Sequence, residues 1–186
     1  SEDTEPLVEA TIALIRAAKQ PILLVGHGAH CARAQESVGA LARLLGCPVI
    51  QTSGGTSFIK GLEDRTFPYG FSSSAVEAVV KSDLCIAIGT ELGEPVHYGK
   101  GRHWAANNAQ RKWIYVELDP EAIGVNRPID VPLVGDLRAI VPQLVEALKD
   151  SPRAASPELT GWVKQEASRL AQLAESAPKG KQPVHT

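Results

Sequence analysis

Apolar residues recur along the chain in two alternating rhythms. Leu7, Val8, Ile12, Ile15 and Ala18 fall at helical spacing and stop before Pro21. Ile22-Leu23-Leu24-Val25 then forms a short continuous apolar run, which predicts a parallel strand buried on both faces. After Gly26-His27-Gly28-Ala29, Val38, Leu41, Leu44 and Leu45 mark a second helix with Gly46 at its C-cap. Residues 48–52 read as a second strand. A stretch rich in Gly, Ser and Pro follows from Ser53 to Ser74, with room for one short strand. Ser72 to Ser74 can cap a short helix through Val80, and 84–88 is a further buried strand.

A second long loop runs from Gly89 to about Arg111. Strands are predicted at 113–118 and 131–134, and Asp136 is placed to cap a helix from Leu137 to about Lys149. Residues 151–156 read as a linker. A last helix carries Leu159, Trp162, Val163, Leu170 and Leu173 on one side, with Pro157 at its first position. Strands separated by helices imply parallel pairing. The expected fold is a three-layer α/β/α, Rossmann-like domain with a parallel sheet of five or six strands.

Composition narrows the function. The chain has 186 residues and a formal net charge of -2, with cations and carboxylates interspersed, which argues against a nucleic-acid partner. No apolar run reaches the roughly 18 residues of a membrane span, so no membrane partner is expected. Cys31, Cys47 and Cys85 are scattered in apolar context and read as reduced, packed thiols of a cytoplasmic protein. His27 and His30 near Cys31 are better explained as a polar turn than as metal ligands. There is no nucleophile elbow, no Ser-His-Asp arrangement and no P-loop around Gly99-Lys100-Gly101.

The glycines carry the strongest functional signal. Gly26 and Gly28 follow the first strand, Gly54 and Gly55 the second, and Gly89 and Gly93 the third. Asp119-Pro120 and Gly135-Asp136 follow the last two. In a parallel sheet these positions share the carboxyl edge, where open α/β sheets bind ligands. The first loop has Cys31 where a dinucleotide fingerprint needs Gly or Ala, and Gln51-Thr52 lacks the acid that grips a ribose. A binding edge without catalytic machinery is the expectation.

The order of motifs resembles the central domain of thiamine diphosphate-dependent enzymes of the acetolactate-synthase type. Residues 18–29, AKQPILLVGHGA, are similar to that family's AKRPVILVGGGA, and 44–49, LLGCPV, to its LGAPV. Residues 82–89, SDLCIAIG, are similar to ADLLLAVG, and 131–136, VPLVGD, to VPIVGD. The most specific stretch is 117–128, ELDPEAIGVNRP, beside DIDPAEIGKNRP.

The resemblance covers residues 6–150 and implies a parent of three α/β domains. Thiamine diphosphate and Mg2+ would bind between its first and third domains, outside this segment, in a homodimer or homotetramer. No catalytic or metal-ligating residue is implied here. Residues 1–150 would be the central domain, and 151–186 a linker and helix leading to the diphosphate-binding domain, with both chain ends reading as cuts.

Some members of the family hold FAD or ADP in the central domain, and others leave the site empty. By position the contacts would be Gly26, Gly28, Thr52, Ser53, Gly54, Gly89, Glu117, Leu118, Gly135, Asp136 and Leu137. Where FAD-binding members read ARFDDR, this chain has Thr90-Glu91-Leu92-Gly93-Glu94-Pro95. A carboxylate at Glu91 repels a pyrophosphate by about 1 kcal/mol when partly screened, unless Lys100 or Arg102 offsets it. Two other readings compete: a free-standing dinucleotide-binding electron-transfer module, and a purely structural domain that buries its loops against sister domains.

Overall fold

The computed structural model describes residues 5–31, 33–52, 59–93, 96 and 99–178. Six parallel strands form one sheet in the order β3-β2-β1-β4-β5-β6. They are β1 (Pro21–Val25), β2 (Val49–Gln51), β3 (Thr66–Pro68), β4 (Leu84–Ile88), β5 (Lys112–Glu117) and β6 (Val131–Val134). The helices are α1 (Glu5–Ala17), α2 (His27–Cys31), α3 (Gln35–Leu45), α4 (Ser73–Lys81), α5 (Arg102–Ala105), α6 (Leu137–Leu148) and α7 (Leu159–Ser176).

The strands are apolar on both faces because both faces are covered. Leu23, Val25, Val49, Ile86, Ile88, Ile114, Val116 and Leu133 pack beneath α1, α3 and α6. Their strand neighbours Ile22, Leu24, Ile50, Cys85, Ala87, Trp113 and Tyr115 face the other way, toward α4, Trp104 of α5 and the start of α7. That alternation is the period of two expected of a strand, doubled because each face has its own core. The result is the three-layer α/β/α domain that the pattern predicts.

The short sixth strand does sit in the 53–74 stretch, as β3. It pairs with β2 through Val49 opposite Thr66 and Gln51 opposite Pro68. Proline ends it on the sheet edge, where one missing ladder donor is tolerated. Local caps follow the sequence closely. Gly46 adopts the left-handed conformation after α3, Ser72 Oγ accepts the Ala75 N–H, and the Asp136 carboxylate accepts the Arg138 N–H.

The last helix departs from expectation at its start. It begins at Leu159 rather than at Pro157, with Glu158 as its N-cap and the Leu159 N–H closing a turn onto Ser156 O. Ser156 N–H donates to Gly46 O, and Ser156 Oγ donates to Glu158 Oε2 at 2.8 Å. The linker crosses the end of α3 in this way, and Arg153 donates to Ile15 O and Ala18 O at the end of α1. Trp162 then buries itself against α4 and donates to Glu77 Oε2 at 2.9 Å. The packed unit therefore extends past residue 150 into the first half of α7. Leu170 and Leu173, farther along the helix, are half exposed.

Candidate functional site

The sheet order places β1 and β4 side by side, while the chain leaves them toward opposite halves of the sheet. This is the switch point of a doubly wound fold, and a crevice opens there at the carboxyl ends of the strands. Two adjoining lobes of about 460 and 450 Å³ share Gly28, Gly89 and Glu117 in their walls. Each lobe falls in the size range of small-molecule sites.

The glycines bring the two loops together. Gly28 N–H donates to Gly89 O at 2.8 Å, and Gly26 N–H donates to Ile88 O at 3.1 Å. A Cβ on Gly26 would lie 2.4 Å from Gly89 O, and one on Gly28 would lie 2.9 Å from the Gly89 Cα. Gly89 itself has φ of 61°, and its added Cβ would lie 2.3 Å from the Ala29 nitrogen. These glycines therefore permit a backbone contact at the floor of the groove. Their N–H groups at 26 and 28 are engaged by the Ile88 and Gly89 carbonyls.

The lobe beside β4 is acidic. Glu91 and Glu117 line it together with His27, Thr52, Thr90, Gly93 and Val96. The Tyr115 hydroxyl sits just beneath and donates to Thr90 O at 2.5 Å. Burial, followed by the charge of Glu117, pushes the Tyr115 phenol pKa well above its ordinary value. One oxygen of Glu117 accepts the Leu118 N–H at 2.8 Å and, at 3.4 Å, the Asp119 N–H. That bonding fixes the carboxylate at the end of β5.

The second lobe is balanced in charge and lies over the start of α6. Arg33, Glu117, Leu118, Asp136, Leu137 and Arg138 line it. Asp136 caps α6, and Arg138 Nη2 donates to Asp136 Oδ2 at 2.8 Å. The Arg138 hydrogen bond holds the Asp136 carboxyl below the usual carboxylate range. Arg33 stands in the junction between α2 and α3 with φ of 54°, an uncommon conformation for a residue other than Gly, Asn or Asp. Leu118 is 68% exposed at the lip, an apolar platform beside a charged groove.

Of the residues expected from sequence, Gly28, Thr52, Gly89, Glu117, Leu118, Asp136 and Leu137 line the groove. Gly26 lies in its floor and Gly135 directly before the α6 cap. Gly135 N–H donates to Glu117 O at 3.0 Å. Ser53 and Gly54 lie outside the described residues. Sequence reasoning missed Arg33, Arg138, His27, Thr90 and Val96 as lining residues. Arg138, two residues beyond the predicted cap, was the one detectable from spacing. Lys100, a candidate to offset Glu91, does not line the groove and lies at the other edge of the sheet. His30 Nδ1 lies 2.9 Å from Gln35 Nε2. Among the described residues no three His, Cys, Asp or Glu side chains converge as a metal site, and no helix is long and apolar enough to cross a membrane.

Fold and groove together define a doubly wound α/β domain with a crevice at its switch point. Residues 8–144 match the family model described as "Thiamine pyrophosphate enzyme, central domain". An acetolactate synthase of Mycobacterium avium is 36% identical over 152 residues, covering 80% of this chain and 24% of that protein. The acetolactate synthase large subunit of Corynebacterium glutamicum is 36% identical over 160 residues, 84% of this chain and 25% of that protein. The 2-hydroxyacyl-CoA lyase 1 of Homo sapiens is 31% identical over 150 residues, 81% of this chain and 25% of that protein.

A solved thiamin diphosphate-dependent enzyme isolated from Mycobacterium smegmatis shares the fold with a TM-score of 0.65 at 25% identity, over 83% of this chain and 29% of that one. The chain belongs to the family of central domains of thiamine diphosphate-dependent enzymes. It spans about a quarter of the length of the curated relatives it matches. The reading as a free-standing electron-transfer module finds no support in these matches.

Proposed function

We propose that this domain serves a thiamine diphosphate- and Mg2+-dependent enzyme of the acetolactate-synthase type, a cytoplasmic 2-oxo-acid carboligase or decarboxylase. Its switch-point groove would hold a nucleotide diphosphate such as ADP or FAD. In the parent, thiamine diphosphate supplies the chemistry that decarboxylates a 2-oxo acid and passes the remaining fragment to an acceptor. Residues of this chain take no part in that step. Their work is to bind the nucleotide and to hold the sister domains in register, within a homodimer or homotetramer. The segment from residue 151 onward serves as the connection toward the diphosphate-binding domain.

The observation that carries this reading is the groove itself, seated at the β1/β4 switch point of a chain in this family. The residues fit a nucleotide in a particular sense. The diphosphate belongs in the lobe over α6, where Arg33 supplies a cation beside the Asp136–Arg138 pair. The Glu91 and Glu117 lobe repels phosphate but accepts hydrogen bonds from sugar or ribityl hydroxyls. Leu118 offers an apolar surface for a base. Gly26, Gly28, Gly89 and Gly135 shape the floor, and Thr52, Asp136 and Leu137 the walls; Ser53 and Gly54 would complete the contact after β2.

Calorimetric titration with ADP, FAD and NAD tests the proposal. Saturable binding of ADP or FAD is expected, with NAD weaker. Arg33→Ala should weaken ADP roughly fivefold, equivalent to about 1 kcal/mol. Absence of ADP and FAD binding at millimolar concentration would leave the groove as an interdomain surface and overturn the nucleotide assignment.

A further inference from the structure

The amino edge of the sheet, opposite the groove, carries a second concavity. It measures about 370 Å³ and is lined by Lys100, Asn108, Arg111, Lys112, Arg127 and Asp130. Four cations meet one carboxylate there. That carboxylate is already engaged: Asp130 Oδ2 accepts the Trp113 N–H at 2.8 Å, and Oδ1 lies 3.9 Å from Lys112 Nζ.

Two of the cations are built into the wall. Arg111 is 3% exposed and Arg127 is 9% exposed. Among the described residues neither forms an ion pair with a carboxylate. Arg111 donates instead to Ser82 Oγ, Trp104 O and Val79 O. Arg127 donates through Nε to Pro128 O at 3.2 Å and through Nη1 to Gly99 O at 2.7 Å. Its guanidinium lies 3.8 Å above the Trp113 ring. These bonds fix both guanidinium planes without neutralising them, and Arg127 Nη2 has no partner among the described residues.

Buried charge without a counter-ion is costly, and burial accordingly lowers the pKa of both arginines. A fixed guanidinium with a free donor, flanked by two exposed ammonium groups, matches a tetrahedral oxyanion. A fold needing cations only for surface solubility would leave them in water.

We propose that this concavity is an anion site for the phosphate group of a small phosphorylated molecule, seated between Arg127, Lys112 and Lys100. The site is separate from the switch-point groove and does not depend on a nucleotide there. A lone carboxylate would leave most of the local positive charge unmatched, so phosphate and diphosphate are the preferred class.

The test is a titration of the isotope-labelled chain with inorganic phosphate and diphosphate, followed by amide and arginine Nε–H shifts at ionic strength held constant with chloride. Saturable shifts are expected at Asn108, Lys112 and the Arg127 side chain, with diphosphate the tighter. Lys112→Gln and Lys100→Gln alter exposed side chains and leave folding intact. Each should weaken diphosphate about fivefold or more, whereas Arg33→Ala in the other groove should not. The proposal is overturned if no saturable shift appears by about 10 mM, a weaker affinity than any specific site should show. It is equally overturned if the shifts survive both lysine substitutions unchanged, or cluster only around Gly28, Gly89 and Asp136.

Discussion

Gly89 shows how much one missing Cβ can hold in place. Its backbone is left-handed, and its α-carbon faces the α2 backbone at a distance no side chain tolerates. Gly124 is the natural comparison, because its φ of 76° is equally left-handed but nothing lies within 4 Å. Gly124→Ala should cost only the conformational penalty, about 1–2 kcal/mol. Gly89→Ala adds a backbone collision and should exceed 3 kcal/mol, roughly the range of strained or overpacked sites. Urea midpoints of the two variants decide the matter: equal losses would mean that the close approach at the switch point contributes nothing. Glycine at this position was legible as a turn residue, but the sequence could not show that its neighbour is another glycine 61 positions earlier, at Gly28.

At the scale of elements, the segment from 150 to 158 behaves as a strap. Arg153 reaches across the amino edge to cap α1, its backbone N–H donates to Leu44 O at 2.8 Å, and Ser156 N–H donates to Gly46 O at 2.9 Å. Gly46 is required twice, for its left-handed φ and because a Cβ there would lie 2.5 Å from Ala154 O. Arg153→Ala should cost about 1.5–3 kcal/mol, the range for charged hydrogen bonds, and its mark should be local. Hydrogen exchange of the Arg153, Ser156 and Trp162 amides should accelerate well before that of Leu24 or Ile86 in the sheet. Uniform acceleration across both regions would instead make the strap part of the global folding unit. The tract reads from sequence as an ordinary linker because its partners, the ends of α1 and α3, lie more than a hundred residues away.

For the whole molecule, the pH dependence of stability has two limbs. On the acid side, Asp64 is held low by its hydrogen bond from Arg65, and Asp136 by that from Arg138. Burial pushes the Glu166 carboxyl up, but hydrogen bonds from Arg169 and Ser72 outweigh it and leave the pKa lowered. Depressed carboxylates stabilise the fold above the unfolded pKa of about 4 and cease to do so as pH falls through their folded values.

On the alkaline side, burial raises Cys47 and Cys85 to about 12. Above about 8.5 the unfolded chain releases thiol protons that the folded chain retains, so stability falls from there toward pH 12. Melting temperature should be nearly level between about pH 5 and 8 and decline on either side. Cys85→Ala should flatten the alkaline limb; an unaltered slope between pH 9 and 11 would remove the buried thiol from the explanation.

Sequence alone determined the α/β class, the buried parallel strands, the caps at Ser72, Gly46 and Asp136, and membership of this family. Those features rest on hydrophobic period and on side-chain chemistry within a few residues of the backbone it serves. Tertiary structure decided the rest. Strand order brought β1 against β4 and so created the groove, and packing set Gly28 against Gly89 in its wall. The same packing joined Arg33 and Arg138 at one lobe and gathered Lys100, Lys112 and Arg127 at the opposite edge. Such groupings depend on which chain segments become neighbours, a property of the folded sheet that no local pattern encodes.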